Sequence, residues 1–274
     1  MSTADLTIPS LFNIRGQVAV VTGGGSGLGT MITAALVQNG AKVYISSRKE
    51  KPLKEVSEAL TKLGPGSCHY FVTDLTTRAG CDALSAYIKS KESKIHILVN
   101  NSGASWGGPW DDFPEKEGWD RIFALNVKSL FYLTAGLSSL LAKDATNRAP
   151  GRVINISSIA GVVADPHSSR LSAPGTGLYS YHAAKASVNH LTKVQAAALS
   201  SKCVTVNAIL PGVFPSKMTA FGFAKKGDQL VADQPTGRVG IPQDIAGTVL
   251  FLVSAASAHV TSSLIMLDGG STKL

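Results

Sequence analysis

Gln17-Val18-Ala19-Val20-Val21-Thr22 runs without interruption into Gly23-Gly24-Gly25-Ser26-Gly27-Leu28-Gly29. The first six residues read as a buried strand, because a short β-branched run with no charge suits a sheet covered on both faces. The glycines that follow allow a tight turn and a close backbone approach. The next stretch, near Gly27 to Asn39, has the pattern of a helix, and Asn39-Gly40 supplies a left-handed stop. A helix that opens on such a turn points free N–H groups and the positive end of its dipole at whatever sits there, which favours a pyrophosphate. A flexible glycine turn with no ligand is the competing reading. The placement between strand and helix, at the start of a βαβ unit, favours the anion site.

The same alternation continues along the chain. Further strands are expected at Lys42 to Ser46, Cys68 to Thr73, Ile95 to Asn100, Arg152 to Ser157, Val204 to Ile209 and Leu264 to Leu267. Helices are expected near Glu50 to Leu63, Thr77 to Lys91, Trp119 to Leu141, Tyr179 to Ser200 and Pro242 to Val253, the last opened by its proline. Repeated β-α-β units with right-handed crossovers build an α/β, doubly wound parallel sheet of about seven strands, a Rossmann-type fold. At 274 residues, with no repeat and no low-complexity stretch, one domain over 1–274 is expected.

Composition narrows the function. Apolar residues make up 44% and charged ones 16%, ordinary for an α/β protein, and the longest apolar runs are strand-sized rather than bilayer-sized. Residues Met1 to Arg15 include Asp5 and lack an apolar core with a cleavage site, so no secretory signal is expected. Cys68, Cys81 and Cys203 show no C-x-x-C spacing, which fits a reduced, cytoplasmic protein. The net charge of +8 is scattered, with short clusters only at Arg48 to Lys54 and Lys225-Lys226. That pattern argues against nucleic acid and suits an anionic small ligand. No H-E-x-x-H occurs, so no metal is expected, and no strand-to-helix turn reads G-x-S-x-G, which argues against a hydrolase.

A dinucleotide fold that selects NAD usually carries Asp or Glu at the end of its second strand, for the ribose 2′-hydroxyl. This chain has Ser46-Ser47-Arg48 there. A guanidinium makes paired charge-assisted bonds to a 2′-phosphate, so NADP(H) is expected; the alternative is that Arg48 is a solvated surface residue.

Tyr181-His182-Ala183-Ala184-Lys185 places a phenol and an ammonium one helical turn apart, on one face. A free tyrosine titrates at about 10, and a nearby positive charge favours its phenolate, so the pair reads as a tuned acid/base. Tyr179 competes for the role, but Ala183 rather than a lysine stands four residues on.

With these motifs in this order, the chain strongly resembles the short-chain dehydrogenase/reductase family over essentially its whole length, and its β-ketoacyl reductase-like branch through the string Pro215-Ser216-Lys217-Met218-Thr219. Thr22, Gly23, Gly27 and Gly29 match T-G-x-x-x-G-x-G. Asp74 matches the acid after the third strand, and Asn100-Asn101-Ser102-Gly103 stands where the family has N-N-A-G, with serine for alanine. Asn126, the Ser157-Ser158 pair and Pro211-Gly212 complete the set.

The resemblance implies a catalytic tetrad of Asn126, Ser158, Tyr181 and Lys185. Ser158 would hold and polarise a carbonyl oxygen, Tyr181 deliver the proton, Lys185 lower the tyrosine's pKa and reach the nicotinamide ribose, and Asn126 hold a water on the proton path. Ser157 is the competitor for Ser158, since neighbours at a strand end face opposite ways, and Asn126 has a purely structural alternative as a buried asparagine bonded to backbone. The resemblance further places the dinucleotide against Thr22, Gly23, Gly25, Ser26, Gly27, Leu28 and Gly29, then Ser47, Arg48, Asp74 and Leu75, then Asn101 and Gly103. Tyr181, Lys185, Pro211, Gly212, Val213 and Thr219 close that set, with Thr219 bonding the carboxamide.

Two segments concern the substrate. Ser158 and Tyr181 are 23 positions apart, longer than the family's usual spacing, and the excess, Asp165 to Gly175 within a loop at 164–177, is expected at the cleft rim. Residues 212–238 are expected to form a lid, and Trp106, Trp110 and Phe113 to line the cleft, favouring a bulky or acyl substrate. The expected activity is reduction of a ketone to a secondary alcohol by NADPH, or its reverse, in a dimer or tetramer. The rivals are an NAD-dependent alcohol or sugar dehydrogenase and a non-catalytic dinucleotide sensor or scaffold.

Overall fold

The computed structural model describes residues 4–165, 173 and 175–272. After a one-turn helix α1 (Ile8–Leu11), the chain runs β1 (Val18–Thr22), α2 (Gly27–Gln38), β2 (Lys42–Ser47), α3 (Glu50–Leu63), β3 (Ser67–Val72), α4 (Arg78–Lys91) and β4 (Ile97–Asn100). It continues through α5 (Arg121–Phe123), α6 (Ser129–Ala142), β5 (Gly151–Ile156), α7 (Tyr179–Leu199), β6 (Val204–Pro211), α8 (Ala220–Ala232), α9 (Pro242–Val253) and β7 (Leu264–Leu267). The strands form one parallel seven-stranded sheet in the order β3-β2-β1-β4-β5-β6-β7.

Every residue of β1, β4 and β5 is buried, as the unbroken apolar runs required. One core packs α2, α3 and α9 on the sheet through Ile32, Leu36, Leu53, Leu60, Ile245 and Val249. The other packs α4, α6 and α7 on the opposite face through Leu84, Ile88, Leu133, Leu137, Ala196 and Leu199. Each such aliphatic side chain contributes roughly 1.5–3 kcal/mol, so these two layers supply most of the cohesion. The winding reverses between β1 and β4, and a crevice therefore opens beyond their C-terminal ends.

Local signals behave as read where they depend on neighbours in sequence. Gly40 takes φ 87° after α2, Thr77 caps α4 by accepting from the Gly80 N–H at 3.0 Å, and Pro242 opens α9. Three expectations change. The helix expected at Trp119 to Leu141 begins at Glu115 and carries π-helical turns at Glu115–Asp120 and Ala124–Lys128, on either side of α5. Gly118 allows the early start, because a Cβ there would lie 2.5 Å from the Phe113 ring. The segment 212–238 contains α8, whose two glycines hide its periodicity. β4 spans Ile97–Asn100; just before it His96 N–H donates to the Val18 carbonyl at 2.9 Å and its Nδ1 accepts the Val18 N–H at 3.0 Å. Of the loop expected at 164–177, residues 166–172 and 174 lie outside the described residues. No described helix is long and apolar enough to cross a membrane.

Candidate active site

The glycine turn is built by close approach. Gly23 and Gly27 adopt left-handed φ of 68° and 55°, and Gly23 N–H donates to the Ser46 carbonyl at 2.7 Å. A Cβ on Gly29 would stand 2.2 Å from the Gly23 carbonyl oxygen and 2.6 Å from Asn101 Nδ2, so α2 rests its first turn directly on the loop. Thr22 lies behind the turn. Its hydroxyl accepts from the Asn101 and Ser102 N–H groups at 3.0 and 2.9 Å, while Asn101 Nδ2 donates to the Thr22 carbonyl at 2.8 Å. These bonds join the ends of β1 and β4 into one floor.

Above that floor lies a cavity of about 410 Å³. Of the expected residues, Gly23, Gly25, Ser26, Gly27, Leu28, Ser47, Arg48, Asp74, Leu75, Asn101, Gly103, Tyr181 and Lys185 line it. A glycine cradle at the start of α2, an exposed arginine at the end of β2 and buried Leu75 fit the diphosphate, phosphorylated ribose and base of a dinucleotide. Asp74 turns one carboxylate oxygen back to the Thr76 N–H and hydroxyl, at 2.9 and 2.8 Å, which fixes its place at the rim. Sequence reasoning missed Lys49, Pro52, Thr73, Ser102, Leu125 and Ile156 in the walls; Ser157, the competitor of Ser158, also lines them, whereas Ser158 does not. Ser216, Lys217 and Met218, within the segment expected as a lid, reach the cavity; a Cβ on Gly27 would meet Ser216 Cβ at 3.3 Å.

Several expected residues support the cavity without bordering it. Pro211 ends β6 beside Leu267, Gly212 N–H donates to the Leu267 carbonyl at 2.9 Å, and the Val213 carbonyl accepts from Gly240 at 2.9 Å. The Thr219 hydroxyl, expected to face a carboxamide, is occupied within its own loop. It donates to the Phe214 carbonyl at 2.7 Å and accepts from the Ser216 N–H at 2.9 Å. With Phe214 buried beneath, Thr219 pins Ser216, Lys217 and Met218 in place.

Asn126 is 2% exposed in the π turn Ala124–Lys128, and its amide is committed to backbone: Oδ1 accepts from Ala104 N–H at 2.9 Å and Nδ2 donates to the Ala104 carbonyl at 2.8 Å. Gly103 separates it from Lys185. A Cβ there would be 3.0 Å from Asn126 Oδ1 and 3.7 Å from Lys185 Nζ.

The serine pair divides as alternation dictates. Ser157 is buried and donates to Asn189 Oδ1 at 2.6 Å, whereas the Ser158 hydroxyl accepts from the Ala160 N–H at 3.1 Å and pulls the pKa of the Tyr181 phenol down. Lys185 Nζ donates to the Ile156 carbonyl at 2.9 Å and lies 5.6 Å from the Tyr181 ring centroid. Burial pushes the Lys185 ammonium down to about 8. Burial pushes the Tyr181 phenol up, and Ser158 pulls it down.

The aromatic residues form a flank rather than a wall of this cavity. Trp110 and Phe113 pack edge-on to Tyr179, at 4.9 and 5.3 Å between ring centroids, and Gly108 bridges Gly177 across the same junction. Tyr179 is thereby occupied on a different face from Tyr181. Among the described residues, no three His, Cys, Asp or Glu side chains gather as a metal ion requires.

The family model for short chain dehydrogenases matches residues 17–227. A rhamnolipid-biosynthesis 3-oxoacyl-[acyl-carrier-protein] reductase of Pseudomonas aeruginosa is 36% identical over 262 residues, covering 94% of this chain and 97% of the relative. The 3-oxoacyl-[acyl-carrier-protein] reductase FabG of Thermotoga maritima is 30% identical over 257 residues, covering 94% and 98%. Among solved structures, the Pseudomonas aeruginosa RhlG/NADP active-site complex superposes with a TM-score of 0.86 at 34% identity, over 95% of this chain and 98% of that one. With its motifs, its sheet order and relatives aligned almost end to end, this chain belongs to the short-chain dehydrogenase family.

Proposed function

We propose that the protein is an NADP(H)-dependent carbonyl reductase whose general acid is Tyr181, acting on a ketone or β-ketoacyl substrate. The observation that carries this reading is that Tyr181 and Lys185 both line the cavity that begins at the glycine turn, with Lys185 Nζ 5.6 Å from the Tyr181 ring centroid. The NADP complex of the P. aeruginosa neighbour and the 3-oxoacyl reductase relatives support the cofactor and the substrate class.

When bound, the reduced nicotinamide supplies the hydride that the carbonyl carbon accepts. The protein's own groups manage the oxygen. Ser158 donates to it and stabilises the charge that grows there, and Tyr181 gives it the phenolic proton, leaving an alcohol. Lys185, held by the Ile156 carbonyl, stabilises the resulting phenolate while it is protonated. Asn126 and Lys185 meet across Gly103, and the return of protons from solvent is assigned to this pair. Arg48 and Lys49 supply positive charge for a 2′-phosphate, and no carboxylate stands at Ser47 to repel it. The segment 212–238 serves as the lid, with Ser216 to Met218 over the mouth. Exposed Phe131 and Val194, on α6 and α7, offer an apolar face for self-association.

The test is a screen of ketones and β-ketoacyl thioesters for loss of NADPH absorbance, with NADH in parallel. Consumption of NADPH by a subset supports the proposal; a faster reaction with NADH refutes the cofactor assignment, and no consumption with any carbonyl refutes the activity.

A further inference from the structure

The turn that carries Ser158 and the helix that carries Tyr181 are joined by one amide. Asn189 lies one turn beyond Lys185 on α7 and is 6% exposed. Its Oδ1 accepts the Ser157 hydroxyl at 2.6 Å, and its Nδ2 donates to the Gly161 carbonyl at 3.2 Å. Those two partners bracket Ser158 on both sides along the chain. The same Ser157 hydrogen is shared with the Lys185 carbonyl at 3.1 Å, so the clasp reaches the backbone of the helix as well as a side chain.

The packing leaves little slack. A Cβ on Gly161 would lie 2.6 Å from Asn189 Nδ2 and 2.8 Å from the Lys185 carbonyl oxygen, so the turn rests directly on α7. Further along the helix, Asn155 Nδ2 donates to Thr192 Oγ1 at 3.0 Å and Gln195 Oε1 at 3.1 Å. Positions 185, 189, 192 and 195 fall on one helical face, and each meets β5 or the turn that leaves it. Apolar contacts are non-directional and tolerate sliding, whereas hydrogen bonds fix register; a slip of one turn would carry Tyr181 about 5.4 Å along the axis.

We infer that Asn189 is a positioning residue which, through Ser157 and the Gly161 carbonyl, holds the turn carrying Ser158 against the helix carrying Tyr181 and so sets the Ser158 hydroxyl relative to the Tyr181 phenol. Neither Asn189 nor Gly161 borders the cavity described above, whereas Ser157 does, so the role is exercised through the turn that Asn189 holds. The inference rests on the reading of Tyr181 and Ser158 in the proposed function, and its test separates the two.

Asn189→Ala is expected to lower kcat about 10- to 100-fold with little change in KM for NADPH, since the glycine turn and Arg48 are untouched. In a double-mutant cycle, Ser158→Ala should cost little more in the Asn189→Ala background, because both substitutions act on the same hydroxyl. Independently of turnover, protein carrying tyrosine labelled with 13C at the ring carbon bonded to oxygen should show the Tyr181 resonance, assigned by Tyr181→Phe, displaced in Asn189→Ala to the position it takes in Ser158→Ala. Should Asn189→Ala fold poorly, Ser157→Ala must reproduce that displacement and Ser157→Thr must restore it. A Tyr181 resonance unmoved in a folded variant, or kcat losses that simply add, would overturn the inference. If the wild type reduces no carbonyl, the activity fails while the resonance still reports on the clasp.

Discussion

The Lys185 ammonium faces the Tyr181 ring at 5.6 Å but spends its hydrogen bond on the Ile156 carbonyl at 2.9 Å. The lysine is therefore anchored to β5, and the tyrosine gains its field rather than its bond. Burial holds that ammonium at about 8 instead of 10.5. Between those values the unfolded chain binds more protons at this site than the folded one, so this lysine makes stability rise with pH from about 8 to 10.5. Below pH 8 its full penalty applies, on the order of 3 kcal/mol. Urea midpoints measured from pH 7.5 to 10.5 should climb more steeply in the wild type than in Lys185→Met. Parallel slopes would show that the ammonium is not desolvated as described.

Tyr181→Phe removes the phenol that lines the cavity beside Lys185 and leaves the glycine cradle whole. Turnover should drop by about 10²–10⁴-fold, while NADPH fluorescence titrations give a dissociation constant close to wild type. A variant keeping most of its rate would remove Tyr181 from the chemistry.

Arg48 is exposed at the β2 end of the cavity, and Ser47 beside it carries no charge. Arg48→Ala should weaken NADPH binding about 10- to 100-fold, the size of a charge-assisted bond, and leave NADH nearly unchanged. Calorimetry with both cofactors decides it. Equal losses for the two would assign Arg48 to something other than the 2′-phosphate.

Gly29→Ala forces a methyl group to within 2.2 Å of the Gly23 carbonyl. Overpacking of this kind costs about 1–3 kcal/mol, and the turn must move to accept it. Thermal unfolding should shift down by several degrees, and NADPH affinity should fall further than the stability loss alone explains. An unchanged affinity would mean that the turn does not contact the dinucleotide.

Thr219→Val deletes the hydroxyl that ties Ser216 to Phe214. Limited proteolysis near Ser216 to Met218 should accelerate, KM for NADPH should rise, and Thr219→Ser should restore both. A drop in kcat with unaltered proteolysis would instead return Thr219 to the role of a cofactor contact.

Much of this architecture is legible in order along the chain. The turn from Thr22 to Gly29, the helix stop at Gly40, the proline start of α9 and the Tyr181-Lys185 pair depend on residues a few positions apart, and they fall where the sequence places them. Alternation separates Ser157, bonded to Asn189, from Ser158, but does not by itself choose between them. Less accessible were the π turns at Glu115–Asp120 and Ala124–Lys128, because an inserted helical residue leaves apolar periodicity almost unchanged.

What the chain's own pattern determined was the set of elements, their alternation and the residue types at the strand ends, since these follow from local dihedral preferences and spacing. Tertiary structure alone decided which groups are occupied and how they titrate. Thr219 and Asn126 have the residue types of ligand contacts, but their polar atoms are already satisfied by Phe214, Ser216 and Ala104. Lys185 is an ordinary lysine until the fold buries it, and Asn189 an unremarked helical asparagine until Ser157 and Gly161 close on it. Hydrogen-bond saturation and desolvation depend on atoms far apart in sequence, and only the packed sheet and helices bring those atoms together.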